Sequence, residues 1–300
     1  DQNYEQYINS LNLVWKECKR VLDNECKLCI NIGDQYARAT YYGRYKVIPI
    51  RTEIIKCCEA LGLDYMGAVI WQKVGTTNTT GGASIMGSYP YPRNGIFKLD
   101  YEFILIFKKQ GKSKRKISDE TKTLSKLTKD EWNTYFTGHW NFGGVKQEEH
   151  LAMFPSELPK RLIKMFSFIG DTVLDPFLGS GTTSLVADKL QRNSIGYEIN
   201  QEFMPLIKKK LGVEDNNFFE STITFEKQPT TEIDYDSETK KLPYTFEDFI
   251  KLEKKVDPKK MQFGSKIDKN SASRENYFTV KCILSPELLI LNSGVKIRLI

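Results

Sequence analysis

The stretch from Thr172 to Val186 constrains the fold more than any other part of the sequence. An apolar run ends at Asp175, turns through a proline and two glycines, and becomes helical in pattern at Thr182 or Thr183. A strand that passes into a helix through such a turn is typical of an α/β sheet that binds a nucleotide-like ligand. The glycines lack the Cβ atoms that would keep a ligand away from the backbone. The stretch therefore predicts a ligand site in an α/β protein.

The spacing of the residues in this turn distinguishes between kinds of ligand. A phosphate-binding P-loop needs a lysine directly after its last glycine, and none follows Gly181. The dinucleotide pattern GxGxxG fits at Gly179 and Gly181, but Ser184 stands in place of the third glycine or alanine. Glu198 closes the next predicted strand, Ser194–Ile199, where a carboxylate commonly accepts hydrogen bonds from ribose hydroxyls. We expect a nucleoside site without a pyrophosphate; an ordinary αβ turn is the alternative.

Two segments resemble motifs of a known family. The sequence DPFLGSGTT, Asp175–Thr183, resembles the S-adenosylmethionine motif of the amino-group DNA methyltransferases, which make N4-methylcytosine or N6-methyladenine. His150–Ile163 is similar to their second cofactor motif, HxAxFPxxLxxxLI. The order of the two halves resembles the permuted β class. The resemblance implies an α/β fold with a doubly wound, Rossmann-like sheet, mostly parallel with one antiparallel strand, and S-adenosylmethionine as the cofactor.

The resemblance also implies which residues bind the cofactor. Side chains at the start of the helix predicted over Ser156–Phe168 would form an apolar wall beside the methionine moiety, opposite Phe177. Glu198 would hold the ribose. The predicted cofactor-binding residues are Phe154, Pro155, Leu158, Asp175, Phe177, Gly179, Ser180, Gly181, Thr182, Glu198 and Ile199.

Hydrophobic spacing predicts the remaining elements and their division into domains. We expect a methyltransferase domain over residues 1–212, a linker or arm over 213–243, and a small β-rich C-terminal α+β segment over 244–300 that is incomplete. This last segment would contact DNA, dimerise, or act as a structural cap. The predicted elements are helices at Tyr4–Leu22, Ile48–Leu61, Ser156–Phe168 (capped by Ser156) and Tyr244–Val256, and strands at Leu28–Ile32, Gly67–Trp71, Tyr101–Phe107, Tyr277–Leu284, Leu288–Leu291 and Val295–Ile300.

Two segments are candidates for contact with DNA. The long loop Val74–Asp100 mixes aromatic rings with hydrogen-bonding residues, which suits base stacking, and in the resembled family it faces the flipped base. Lys108–Lys116 is the densest basic run and is either a solvated loop or a phosphate-binding one. Asp34 either faces the active-site mouth or caps a turn. The predicted DNA-binding residues are Thr76, Asn78, Tyr89, Tyr91, Arg93, Lys112, Lys114 and Arg115.

Composition adds a few limits. A net charge of +6 permits a polyanion such as double-stranded DNA as the partner. The composition is also compatible with a homodimer. The six cysteines form no disulfide framework, and neither histidine lies at zinc-ligand spacing from a cysteine pair. We therefore expect reduced thiols, no metal site and no membrane span, as in a cytoplasmic bacterial or archaeal protein that serves in a restriction-modification system.

The catalytic motif of the resembled family is missing from these residues. That motif is (D/N/S)PP(Y/F/W), and the sequence contains no Pro-Pro pair. In the β class it lies shortly before the first helix, so we expect the catalytic residues before Asp1. Leu151–Pro155 differs from the form common in adenine enzymes, which favours N4 of cytosine as the methyl acceptor. N6 of adenine and an inert subunit that binds cofactor and DNA are the alternatives.

Overall fold

The computed structural model describes residues 3–73, 87–144, 154–213, 222–229, 232–251, 257, 280–285, 288–292 and 296–298. The chain divides into two compact units, 1–254 and 255–300. The helices are α1 (Tyr4–Val21), α2 (Ala39–Tyr42), α3 (Ile50–Ala60), α4 (Asp119–Leu124), α5 (Lys129–Tyr135), α6 (Glu157–Phe166), α7 (Thr182–Lys189), α8 (Met204–Lys210) and α9 (Tyr235–Lys240). The strands are β1 (Lys27–Ile32), β2 (Gln35–Ala37), β3 (Lys46–Ile48), β4 (Leu63–Lys73), β5 (Tyr101–Lys109), β6 (His139–Phe142), β7 (Thr172–Asp175), β8 (Asn193–Gly196), β9 (Val280–Ser285), β10 (Leu288–Leu291) and β11 (Lys296–Arg298).

A four-stranded sheet forms the centre of the first unit, in the order β1–β5–β4–β6. Strand β5 runs antiparallel to both β1 and β4, whereas β4 and β6 are parallel. Three strands thus share one direction and β5 opposes them. This arrangement confirms the predicted α/β sheet that is mostly parallel with one antiparallel strand.

Helices cover both faces of this sheet. Alternate side chains of a strand point to opposite faces, so each strand contributes to two cores. On one face, α1 and α3 pack against side chains that include Ile30, Leu105 and Phe107, all of them buried. On the other face, Trp71 and Ile104 belong to a core cluster with the buried Leu158 of α6. The sheet is therefore doubly wound, as predicted.

Strands β7 and β8 form a separate parallel pair next to α7. Helix α6 joins this pair to the rest of the unit, because its Ile163 packs against Val186 and Ala187 of α7. The helix after the glycine turn begins at Thr182, as predicted. Strand β8 ends at Gly196, so Glu198 lies two residues beyond the strand rather than at its end.

Most of the predicted elements occur within a few residues of their expected bounds, and two further details are wrong. Ser156 occupies the N-cap position of α6 but makes no capping hydrogen bond. Residues 244–251 are not helical, which contradicts that part of the predicted helix at Tyr244–Val256. The hairpin β2–β3 and helix α9 were not predicted.

Residues that follow α9 pack back onto the start of the chain. Asn9 donates from Nδ2 to the Phe246 carbonyl at 3.0 Å and accepts the Phe246 N–H at 2.8 Å. The Phe246 ring lies edge-on to Tyr4, with 5.0 Å between centroids. The Tyr42 hydroxyl donates to Asp248 at 2.6 Å. This part of the chain therefore belongs to the first unit and covers α1.

The second unit contains a three-stranded antiparallel sheet in the order β11–β10–β9. Its strands agree with the predicted β-rich end of the chain. All six cysteines are free thiols. No helix among the described ranges is long and apolar enough to cross a membrane.

Candidate cofactor site

Asp175 ties the end of β7 to the start of α7. Its Oδ1 accepts the N–H of Phe177 at 3.0 Å, and its Oδ2 accepts the Thr183 hydroxyl at 2.6 Å. Between these points the backbone is left-handed at Gly179 (φ 53°) and at Gly181 (φ 84°), a conformation that side chains with a Cβ rarely adopt. Carboxylate and glycines together fix the shape of the turn.

Glu198 supports the turn from the segment that follows β8. Its Oε2 accepts the N–H of Gly179 at 2.8 Å, and its Oε1 accepts the N–H of Asn200 at 2.8 Å. Each carboxylate oxygen can accept a second hydrogen bond. The side chain is thus held in place by the backbone and retains acceptor capacity for a ribose hydroxyl.

Helix α8 supports the turn from a second direction. A Cβ on Gly181 would lie 3.5 Å from Cγ2 of Ile207, so the helix packs closely against the glycine. Lys210 donates from Nζ to the Ser180 hydroxyl at 2.6 Å and to the Thr182 hydroxyl at 2.9 Å. Burial lowers the pKa of Lys210. This lysine was not predicted, because no motif marks it in the sequence.

Apolar side chains are exposed beside the turn. Phe177 is 53% exposed and Ile199 is 99% exposed, although both are large hydrophobic residues. An apolar surface beside a carboxylate and a glycine turn suits an adenosine moiety, whose base is flat and whose sugar carries hydroxyls. The residues present therefore fit the nucleoside part of S-adenosylmethionine.

The structure describes the three residues of the predicted wall beside the methionine moiety, Phe154, Pro155 and Leu158. Leu158 is 4% exposed and packs with Val69, Trp71 and Trp140, so core packing accounts for it and little of its surface can meet a ligand. Phe154 packs against the same cluster. Pro155 is half-buried at the start of α6. The rest of the motif, residues 145–153 with His150, lies outside the described residues.

A polar row crosses the central sheet where β1 and β4 end. Asn31 donates from Nδ2 to Glu102 at 2.8 Å, and Lys73 forms an ion pair with the same carboxylate. Asn31 Oδ1 is buried without a hydrogen-bond partner among the described atoms. At one end of this row, Asn31 Oδ1 is therefore a hydrogen-bond acceptor without a described partner.

Asp34 lies directly after β1 and is the second polar group at this edge. Its side chain is 8% exposed, its Oδ1 has no hydrogen-bond partner among the described atoms, and Arg51 Nε lies 3.7 Å from that oxygen. Burial raises the pKa of the Asp34 carboxyl, and the Arg51 charge opposes this. An acidic side chain held in this way is available to a partner.

The predicted DNA-contacting loop is described from Gly87 onward, so Thr76 and Asn78 lie outside the described residues. Tyr89 and Tyr91 are each 75% exposed, and Arg93 is exposed as well. The segment has internal structure, since the Ser88 hydroxyl donates to the Tyr91 carbonyl at 3.0 Å and Gly87 bridges to Gly95. The aromatic rings are therefore presented to solvent by a closed turn.

The basic run is exposed but not uniform. Lys112 and Lys114 point to solvent, whereas Arg115 forms an ion pair with Asp171, just before β7. Among the described residues, no group of three or more His, Cys, Asp or Glu side chains is placed to hold a metal ion.

Comparison with known proteins identifies the class. A family model for DNA methylases of the N6/N4 group matches residues 1–209. The chain belongs to this family, and its cofactor is S-adenosylmethionine. It is 41% identical over 217 residues to the type II methyltransferase M.MjaI of Methanocaldococcus jannaschii, a match that covers 71% of this chain and 70% of the relative. It is 34% identical over 220 residues to M.MthZI of Methanothermobacter thermautotrophicus, covering 70% of this chain and 60% of that protein.

Solved structures agree with this assignment. TTHA0409 of Thermus thermophilus, a proposed DNA modification methylase solved in complex with S-adenosyl-L-methionine, is 32% identical, has a TM-score of 0.60, and matches over 72% of this chain and 80% of its own. The cytosine-N4-specific PvuII DNA methyltransferase, 20% identical with a TM-score of 0.53 and matched over 72% and 74%, shares the fold. The protein is thus a DNA methyltransferase of the class that modifies exocyclic amines.

Proposed function

We propose that this enzyme transfers the methyl group of S-adenosylmethionine to N4 of cytosine within a specific site in duplex DNA. The observation that supports methyl transfer is the geometry of the cofactor turn, Asp175–Thr183. Asp175 and Glu198 hold the backbone of this turn, while Phe177 and Ile199 beside it remain exposed. The choice of cytosine rests on Leu151–Pro155, which reads Leu-Ala-Met-Phe-Pro.

The chain's own residues would bind and align the two substrates. Glu198 would accept hydrogen bonds from the ribose, and the side chains beside the turn would contact the adenine. The cofactor supplies the methyl group. An exocyclic amine presented in line with that group needs no covalent enzyme intermediate, so alignment would provide much of the rate enhancement. The target base must leave the duplex stack to reach such a site.

The residues that hold the target base would lie on a further strand between β1 and β7. Within the described residues, β1 pairs only with β5 and β7 only with β8, so each has one free edge. The starts of the two strands are linked through one loop: Ser113 donates its N–H to Glu25, just before β1, at 3.2 Å, and Arg115 forms an ion pair with Asp171, just before β7. A strand in this space would present its carboxyl end to the cofactor turn.

Buried polar groups around this space support the proposal. Both amide atoms of Asn12, the indole N–H of Trp15 and Oδ1 of Asn31 are buried without a hydrogen-bond partner among the described atoms. The Trp15 ring also lies 6.0 Å from the ring of Phe177 in the cofactor turn. Buried polar groups are nearly always paired in native proteins. A strand and its side chains would supply the missing partners.

Contact with duplex DNA would come from the exposed turn and the basic loop. Tyr89 and Tyr91 would stack on DNA bases or at the position of the flipped base, and Arg93 would contact the DNA backbone. Lys112 and Lys114 would bind phosphates, which adds affinity without sequence information.

Mass spectrometry of methylated DNA tests the proposal. The intact gene product is incubated with unmethylated genomic DNA and S-adenosylmethionine, and the DNA is digested to nucleosides. We expect N4-methylcytosine to appear. N6-methyladenine alone would contradict the choice of cytosine and favour the adenine enzyme. No methylation at all, by a protein that binds the cofactor, would favour an inert subunit.

A further inference from the structure

Lys210 makes an unusual set of contacts behind the cofactor turn. It is the last residue of α8, and its ammonium group donates to the hydroxyls of Ser180 and Thr182, which lie 30 and 28 residues earlier in the chain. Both hydroxyl-bearing residues are 7% exposed. Their oxygens are also 3.3 Å apart. The lysine therefore closes a small buried polar cluster.

Among the described residues, the acceptors of this ammonium group are hydroxyls rather than carboxylates. Within the described part of the chain, no acidic side chain forms an ion pair with Lys210. Burial disfavours its charge, and two neutral hydroxyls are its acceptors. A partly buried ammonium group whose described acceptors are two hydroxyls is a candidate for a functional role.

The two hydroxyls flank the residue that gives the turn its shape. Gly181 has φ 84° and separates Ser180 from Thr182, and Ile207 of the same helix α8 packs against it. Because the lysine bonds to both neighbours of this glycine, it restrains the turn from behind, while Glu198 restrains Gly179 from the other side.

We propose that Lys210 is a positioning residue for S-adenosylmethionine, which holds the Ser180–Thr182 turn in its binding conformation. The family match ends at residue 209, so Lys210 lies just beyond it. The inference rests on the proposed cofactor site and is independent of whether cytosine or adenine is methylated.

Calorimetric titration without DNA tests this inference. In Lys210→Met the methylene stem is kept and the donor is lost, so the Kd for S-adenosylhomocysteine should rise about tenfold, the effect of losing roughly 1.4 kcal/mol of charge-assisted hydrogen bonding. The Kd for 5′-methylthioadenosine, which lacks the amino-acid part, should rise equally. Lys210→Arg, which retains donors, should restore most of the affinity. Lys209→Met, on the same helix with an exposed side chain, is the matched control and should bind normally.

A double-mutant cycle separates positioning from other roles. In a background of Ser180→Ala with Thr182→Val, the additional change Lys210→Met should alter the Kd less than twofold. Full additivity would overturn the proposal. A loss confined to S-adenosylhomocysteine would also overturn it, because that result indicates direct contact with the ligand's carboxylate. So would a lower melting temperature with unchanged affinity. Absence of DNA methylation by the native protein would contradict the proposed function and leave this result intact.

Discussion

The cofactor half and the acceptor half of the molecule differ in how their polar groups are paired. In the cofactor half, residues 172–211, Asp175 and Glu198 each accept two hydrogen bonds from the protein. In the acceptor half, around β1 and α1, the buried amides of Asn12 and Asn31 retain atoms without partners among the described residues. Both regions lie at the ends of strands, yet among the described residues only the second leaves buried amide atoms unpaired.

The difference follows from how each region is encoded. The cofactor turn is held by groups that lie close in sequence, between the start of β7 and the end of α8. The acceptor half is built from strands that are distant in sequence and, in our proposal, needs one more. A self-contained region should tolerate changes elsewhere, whereas an incomplete one should depend on its missing partner.

The largest expected effect is the loss of the cofactor turn in Asp175→Ala. The carboxylate accepts two hydrogen bonds at 2.6 and 3.0 Å. Bonds to a charged group are each worth about 1.5–3 kcal/mol, so losing both should raise the Kd for S-adenosylhomocysteine by about 100-fold or more in calorimetric titration. Asp236→Ala removes an exposed carboxylate on α9 and should leave the Kd unchanged. A change of less than threefold in Asp175→Ala would mean that the turn is held by other groups.

An intermediate effect is expected from Asn12→Leu, which reports on the acceptor half. Asn12 is fully buried, with neither amide atom paired among the described residues. If a further strand pairs this amide in the intact gene product, the substitution should lower the free energy of unfolding by about 1–3 kcal/mol in urea denaturation.

An increase in the free energy of unfolding in Asn12→Leu would contradict the presence of a further strand. Replacing an unpaired buried amide by an apolar side chain of similar size would stabilise the protein. Asn133→Leu changes an exposed residue of α5 in the same way and should alter the free energy of unfolding by less than about 0.5 kcal/mol.

The smallest expected effect concerns the basic loop. Removing both Lys112 and Lys114 should weaken DNA binding about equally for all sequences and reduce the slope of log K against log salt by about 2. Arg115→Ala should reduce the slope less per charge, because Asp171 already pairs with this guanidinium group. Fluorescence anisotropy at several salt concentrations measures both. If Arg115→Ala reduces the salt slope more per charge than the lysine substitutions do, Arg115 must leave Asp171 and bind a phosphate.

Most of the fold, and the turn that is predicted to bind the cofactor, could be predicted from the sequence because their signals are local. The glycines, Asp175 and Glu198 lie within one strand–turn–helix–strand unit, where spacing alone relates them. Lys210 escaped prediction because its partners are 28 and 30 residues away and a lysine at the end of a helix is common.

Contacts between distant parts of the chain were harder still to predict. Asn9 and Phe246 are 237 residues apart, and nothing in either local sequence indicates their two hydrogen bonds. Leu158 was expected beside the ligand, but its spacing in the motif serves the core equally well. Local patterns thus identify a site, whereas tertiary contacts decide which of its residues face the ligand.

Titration of S-adenosylmethionine into the 300-residue chain in the absence of DNA tests most directly whether the cofactor half is self-contained. We predict saturable binding of one cofactor molecule per chain, because the groups that shape the turn are paired within residues 172–211. Absence of binding by a chain that is folded by circular dichroism would contradict this account, since it would show that the cofactor site also depends on groups outside residues 172–211.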